Sequence, residues 1–278
     1  MISKILSTYW LKRIFTHFRE RGLISLLKNI FFFLNRTLNP KYLGEFPLSH
    51  YFNKRRRRIM KFCEKELKNF DKQSIKSFFN YYLDEEKITN NSIIYSFGLS
   101  NSVNFELDLI KKHDVKIFCY DPTDVSVEFF KKNKFENLIY NPYGIWVEDK
   151  KIKFHLAKTG GGSIKNEFVN EAVNFKELQC FTLKTLMSKN NHTNIDILKM
   201  DIEGVADKIL FQIIKEKIFP KQICVELEIS EKKDFELEFV NLKKLIDIMK
   251  RENYLSYHMP RFSNKPYDSI EVLFIKKD

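Results

Sequence analysis

The sequence predicts an α/β fold, a mostly parallel sheet with helices on both faces, preceded by a basic helical region. Three observations carry this. Beyond residue 92, short apolar runs alternate with amphipathic helical stretches, the pattern of successive βα units. Several of those runs end on Gly or Asp, where an open α/β sheet meets its ligand. The charge is segregated: residues 1–70 hold sixteen basic and four acidic side chains, which is the whole of the net +12, and the rest of the chain is neutral. We therefore expect a basic helical region over residues 1–90 and a sheet domain over 91–278.

The composition excludes several classes. With 278 residues, 44% hydrophobic and 15% aromatic, the chain can bury a full core and is not a long disordered segment. Eight Gly and seven Pro exclude collagen-like and low-complexity chains. The four cysteines form no C-x-x-C pair, which argues against a thiolate zinc site, and Cys119 and Cys224 lie in apolar runs as buried thiols would. Lys12 and Arg13 interrupt the one candidate leader core, and no uncharged run approaches the ~20 residues of a membrane span. A reducing, cytoplasmic setting is expected.

The elements follow in order. Ile2, Ile5, Leu6, Tyr9 and then Leu23, Leu26, Leu27, Ile30 predict helix over residues 2–34, broken near Gly22 and ended by Asn39-Pro40. Residues 41–53 read as irregular, Lys54 to about Phe70 as a helix opened by a basic run, and 74–83 as a further helix. Ile93–Phe97 is the first strand. A helix follows with Ser102 as N-cap and Val103, Leu107 and Ile110 on one face. Val115–Tyr120 is a strand and Asp124–Lys132 a helix. Asn137–Trp146 and Lys151–Leu156 read as strands joined by the turn Glu148-Asp149-Lys150. Lys158 to Asn170 is a loop with three consecutive glycines. Ile195–Met200 is a strand and Val205–Ile214 a helix. Gln222–Ile229, the helix Phe235–Arg251, Tyr254–His258 and Ser269–Ile275 complete the chain.

Three strand ends carry chemistry. Gly98 lets backbone approach a ligand, and the following helix offers free N–H groups. Asp121, 23 residues after Gly98, stands where an acid can accept ribose hydroxyls, although Asp before Pro also starts turns. Asp201 and Glu203 put two carboxylates at the sheet mouth, where they could equally cap the next helix. The G-x-G-x-x-G fingerprint is absent, which argues against NAD and FAD. Glu226 and Glu228 share one face of a strand, as a functional pair or a salt-bridged one. His258 falls at the same rim.

Taken together, Ser96-Phe97-Gly98-Leu99, Tyr120-Asp121-Pro122-Thr123, Tyr143-Gly144-Ile145 and above all Asp196-Ile197-Leu198-Lys199-Met200-Asp201-Ile202-Glu203-Gly204 resemble the FkbM family of S-adenosylmethionine-dependent methyltransferases. The resemblance covers about residues 92–276. It implies a Rossmann-like seven-stranded sheet with helices on both faces and an antiparallel last strand. It also implies methyl transfer, usually to an oxygen of a sugar or secondary metabolite. Only Gly98 remains of a loop that is richer in glycine elsewhere in the family. Position by position, the resemblance places Phe97, Gly98 and Leu99 beside the methionine part of the cofactor and Asp121 at the ribose. Tyr143, Gly144 and Ile145 would flank the adenine. Asp201 would lie near the sulfonium and acceptor, with Glu203 beside it, and Glu226 matches an acid of the following strand. A carboxylate at Asp201 or Glu203 would take the acceptor proton or hold a divalent cation such as Mg²⁺.

The leading expectation is an O-methyltransferase acting on a sugar, glycan or other small-molecule hydroxyl. An RNA methyltransferase is the second reading, opposed by the neutral body. A non-enzymatic membrane adaptor on a degenerate methyltransferase fold is the third. For residues 1–70, Trp10, Phe15, Phe18, Phe31–Phe33 and Lys54–Arg58 suit peripheral contact with an anionic membrane, on the inner face. Packing on the sheet domain or a second copy, and an RNA-binding tail, are the alternatives.

Overall fold

The structure is a computed structural model and describes residues 54–68, 73–157, 162–164, 172–230, 235–259 and 267–277. The chain divides into two compact units, Met1–Arg57 and Arg58–Asp278. Of the first, only the opening of helix α1 (Lys54–Glu66) is described. The helices expected over 2–34, the irregular stretch 41–53 and most of the proposed membrane-contact region lie outside the described residues. Among the described residues, no helix is long and apolar enough to cross a membrane.

The second unit holds the rest of α1 and then a hairpin, β1 (Ile75–Phe78) and β2 (Tyr81–Asp84). The helix expected over 74–83 is therefore replaced by two strands. Ile75, Phe78 and Tyr82 have helical spacing, but the aromatic-rich run Phe78–Tyr82 suits a pleated surface better. The chain reverses at Phe79-Asn80, with Phe79 at φ 52° and its N–H on Asp108 Oδ2 at 3.0 Å.

The main sheet is built from β3 (Ile94–Phe97), β4 (Ile117–Tyr120), β5 (Leu138–Asn141), β10 (Ile197–Met200), β11 (Gln222–Ser230), β12 (Tyr254–Met259) and β13 (Tyr267–Lys276). Its spatial order is β12-β13-β11-β10-β3-β4-β5. The ladders from β5 to β11 are parallel, while β13 pairs antiparallel with both neighbours. The chain runs outward from β3 to β5 and then returns to lay β10 on the other side of β3. That reversal opens a crevice at the carboxyl ends of β3 and β10.

Helices fill both faces. Phe105 and Leu109 of α2 (Asn104–His113) pack with the hairpin's Phe78, Tyr81 and Leu83 on one face. Helix α3 (Asp124–Lys132) adds Phe129 and Phe130 at its margin. The other face buries Ile59 and Cys63 of α1, Leu183 and Leu186 of α4 (Leu183–Lys189), Ile209 and Leu210 of α5 (Ala206–Lys215), and Leu245 and Ile246 of α6 (Phe235–Arg251). Residues 58–90, assigned from sequence to the N-terminal region, thus contribute to the same cores as the sheet. All four cysteines are free and buried.

The first βα helix differs from expectation at its start. Its N-cap is Val103 without a side-chain cap, and its buried face is Phe105, Glu106 and Leu109, while Leu107 is exposed. Ser102 instead sits in the loop before it, accepting from Asn104 Nδ2. The expected strand over 137–146 splits at Pro142 into β5 and β6 (Gly144–Ile145), which join different sheets. The second sheet, ordered β6-β9-β7-β8, contains β7 (Lys150–Ala157), β8 (Gly162–Ser163) and β9 (Ala172–Phe181). Strand β9 and helix α4 had no sequence expectation. Thr182 caps α4 by accepting from Thr185 N at 3.2 Å.

Candidate active site

The carboxyl ends of β3, β4 and β10 surround a cavity of about 340 Å³. Each end is shaped by a different local device. At β3 the backbone turns at Gly98, with φ +78° and its N–H on Tyr120 O at 3.1 Å. A Cβ added to Gly98 would lie 1.7 Å from the Asp201 carbonyl oxygen, so only glycine fits between β3 and β10. Ser100, two residues on, also has positive φ, 52°.

At β4 the Asp121 carboxylate is engaged by four protein donors. Its Oδ2 accepts from Leu99 N at 2.9 Å and Ser100 N at 2.8 Å. Its Oδ1 accepts from Thr123 N at 2.9 Å and Thr123 Oγ1 at 2.7 Å. A carboxylate has about four lone-pair sites. The residue expected to bind ribose therefore has its acceptor capacity committed to holding the β3 and β4 turns together.

At β10, Asp201 N donates to Phe97 O at 3.1 Å, and Asp201 Oδ2 accepts from the Tyr81 hydroxyl at 2.7 Å. Burial first, then the charges of Asp201 and Glu226, raise the Tyr81 phenol well above its ordinary value, so it remains a donor. Glu203 (φ 45°) and Gly204 (φ 82°) are both left-handed; glycine takes that conformation freely, whereas Glu203 is costly to hold there. Two contacts hold it: Ser163 Oγ donates to Glu203 O at 2.6 Å, and Gly204 N donates to Glu228 Oε2. Burial, then the negative charges of Glu203 and Glu226, push the Glu228 carboxyl well above the usual carboxylate range.

The structure brings Phe97, Gly98, Leu99, Asp121, Gly144, Ile145, Asp201 and Glu203 together as cavity lining. Tyr143 is not part of that lining; its ring packs edge-on against Phe181 at 5.1 Å. Glu226 is 5% exposed, opposite Glu271 in the β11–β13 ladder, and does not line the cavity either. His258 is paired with Val272 within the sheet, with its backbone N–H on Lys68 O, away from the cavity. Burial lowers its imidazole to about 4.

Sequence reasoning missed Ser100, Tyr120 and Thr123, which flank residues it had chosen, and the outer wall of Phe154, Gly162 and Ile164 from the second sheet. The glycine run at 160–162 was a usable signal for that wall. Among the described residues, no group of three or more His, Cys, Asp or Glu side chains is arranged to hold a metal ion, so the Mg²⁺ expectation gains no support there.

When the main strands are numbered along the chain, their order is 3-2-1-4-5-7-6 with strand 7 antiparallel. With a cavity at the switch point and acids at its mouth, this defines a Rossmann-like methyltransferase fold. The sequence matches the methyltransferase FkbM domain over residues 42–256, and the chain belongs to that family. Among solved structures, it is similar to the fibrillarin pre-rRNA processing protein of Methanococcus jannaschii, with 13% identity, TM-score 0.40, and coverage of 73% of this chain and 70% of that one. It is also similar to an O-methyltransferase from Bacillus cereus in complex with SAH, with 9% identity, TM-score 0.39, and coverage of 69% and 77%. No curated protein matches by sequence.

Proposed function

We propose that this chain transfers a methyl group from S-adenosylmethionine to a hydroxyl oxygen of a sugar, glycan or other small-molecule acceptor. The observation that carries the reading is the convergence of the Gly98 turn, Asp121 and Asp201 on one cavity. The cradle fits such a cofactor because the Phe97–Ser100 turn, held tight against β10 at Gly98, lines the cavity together with the Asp121 and Asp201 ends. When bound, the cofactor supplies an electrophilic methyl group on a cationic sulfonium.

The chain's own residues supply placement and a proton acceptor. Asp201 and Glu203 give the mouth negative charge suited to a cation. The Tyr81 hydroxyl fixes the rotamer of Asp201, and Ser163 with Glu228 fixes the Glu203-Gly204 backbone. Either carboxylate is positioned to take the acceptor hydroxyl proton as the oxygen attacks. Phe154 and Ile164 add apolar lining to the cavity. Three carboxylates and no Lys or Arg line the cavity among the described residues, which favours a neutral hydroxyl acceptor over an RNA backbone.

The reading keeps the chain in the cytoplasm, with residues 1–70 in peripheral contact with an anionic membrane; the +12 charge of that region supports this. The test is transfer of labelled methyl from the cofactor, using the full chain, to a panel of sugars and glycosides and to total RNA. Label in the sugar fraction is expected. Label in RNA alone would overturn the acceptor class, and no transfer together with no cofactor binding would favour the adaptor.

A further inference from the structure

Lys199 has no part in the chemistry above, yet its position demands a reason. It lies in the middle of the parallel sheet, 4% exposed, in register with Ser96 of β3 and Cys224 of β11. An ammonium withdrawn from water must be compensated by hydrogen bonds or opposite charge. The compensation lies at the cofactor turn. Lys199 Nζ donates to Gly98 O at 2.6 Å and to Phe97 O at 3.3 Å. The Tyr81 ring lies 5.2 Å away, the same tyrosine whose hydroxyl holds Asp201. Buried Glu106, which accepts from Ser96 Oγ at 2.5 Å, supplies negative charge nearby: it and Lys199 act in opposite directions on the Cys119 and Cys224 thiols.

Two peptide groups are gripped from the other side, the Gly98–Leu99 peptide that Lys199 also holds and the Leu99–Ser100 peptide after it. Their N–H groups, on Leu99 and Ser100, point at Asp121. Along this stretch the backbone passes through left-handed conformations at Gly98 and Ser100, and serine adopts that region only when its surroundings impose it. Carbonyl ends thus face an ammonium and amide ends face a carboxylate. We propose that Lys199 and Asp121 form an ionic clamp that holds the Phe97–Ser100 turn in its cofactor-binding shape, standing in for the glycines this loop lacks. Lys199 is then a positioning residue. Its Nζ is directed at backbone carbonyls, and it is not part of the cavity lining. The proposal rests on the methyl-donor reading of the cavity.

Two readouts on the full chain test it. The first is amide hydrogen exchange without cofactor. Lys199→Met is expected to speed exchange at Leu99 and Ser100 by about tenfold or more, while the β11–β13 ladder stays protected. The second is titration with S-adenosylhomocysteine. Affinity is expected to fall about tenfold or more in Lys199→Met, with Lys199→Arg recovering part of the loss, and KM for the methyl donor should rise more than kcat falls. If Lys199→Met does not fold, Lys199→Arg is read in its place, with smaller shifts in the same direction at the same two amides. Unchanged exchange at Leu99 and Ser100 with affinity within twofold of wild type would overturn the clamp. A wild-type chain that binds no S-adenosylhomocysteine would overturn the methyl-donor reading instead, and the exchange experiment would still judge the clamp.

Discussion

Replacing Gly98 by alanine tests the closest approach in the site. The new methyl would lie 1.7 Å from the Asp201 carbonyl oxygen and 2.7 Å from its carbon, and both are backbone atoms that no side-chain rotation can move. Holding alanine at φ +78° costs about 1–2 kcal/mol. Relieving the clash requires β3 and β10 to part, which breaks the Asp201 N–H to Phe97 O bond at 3.1 Å. Leaving a buried N–H without a partner costs about 1–3 kcal/mol. The expected loss is therefore about 2–5 kcal/mol, a large share of a stability that is typically about 5–15 kcal/mol. Urea unfolding followed by circular dichroism at 25 °C measures it, and titration with S-adenosylhomocysteine should show weakened binding in the fraction that folds. A loss below about 1 kcal/mol with unchanged affinity would refute the reasoning, because β3 and β10 would then not meet at Gly98.

Four further outcomes are expected. Asp121→Asn puts an NH₂ group against N–H donors that now find a carboxylate, and should destabilise the chain by about 2–4 kcal/mol in urea titrations while weakening cofactor binding. Asp201→Asn or Glu203→Gln should lower the methyl-transfer rate by about 10²–10⁴ with an unchanged urea midpoint if that residue is the proton acceptor; full rates in both would return them to capping roles. Glu228 holds its proton in the folded chain at pH values where the unfolded chain has released it, so its own contribution to stability is fully present below its unfolded value and is lost as pH rises through the elevated folded value; Glu228→Gln should flatten that part of the fall in urea midpoints measured from pH 5 to 8. Binding of the full chain to anionic vesicles should fall as salt rises, and fall further with Arg55–Arg58 changed to Gln; indifference to such vesicles at low salt would remove the membrane proposal.

The strand ends were legible because their signals are local. Gly98, Asp121 and Asp201 each close an apolar run, and the order of those runs implied one crevice for all three. Helix α6 and the strand Gln222–Ser230 were legible from periodicity and length. The hairpin was not, because Ile75, Phe78 and Tyr82 satisfy helical spacing and only the packing of Tyr81 and Leu83 against the sheet selects strands. Strand β9 was hidden because Asn174, Phe175, Lys176 and Glu177 are exposed in succession, which erases the alternation. Asp121 shows a different limit. Its type and place were readable, but its four donors come from the turns on either side of it, and only their three-dimensional closure shows that the carboxylate is occupied. Lys199 stood inside the most specific motif, and no spacing rule could say that its ammonium reaches back to the carbonyls of Phe97 and Gly98.

Hydrogen exchange of the full chain with and without saturating S-adenosylhomocysteine tests most directly whether the cavity at the ends of β3, β4 and β10 is the cofactor site. Slowed exchange is expected in three separated segments, residues 98–102, 121–126 and 201–205, with β11 and β12 unchanged. Slowing confined to other segments, or none at millimolar ligand, would contradict the assignment.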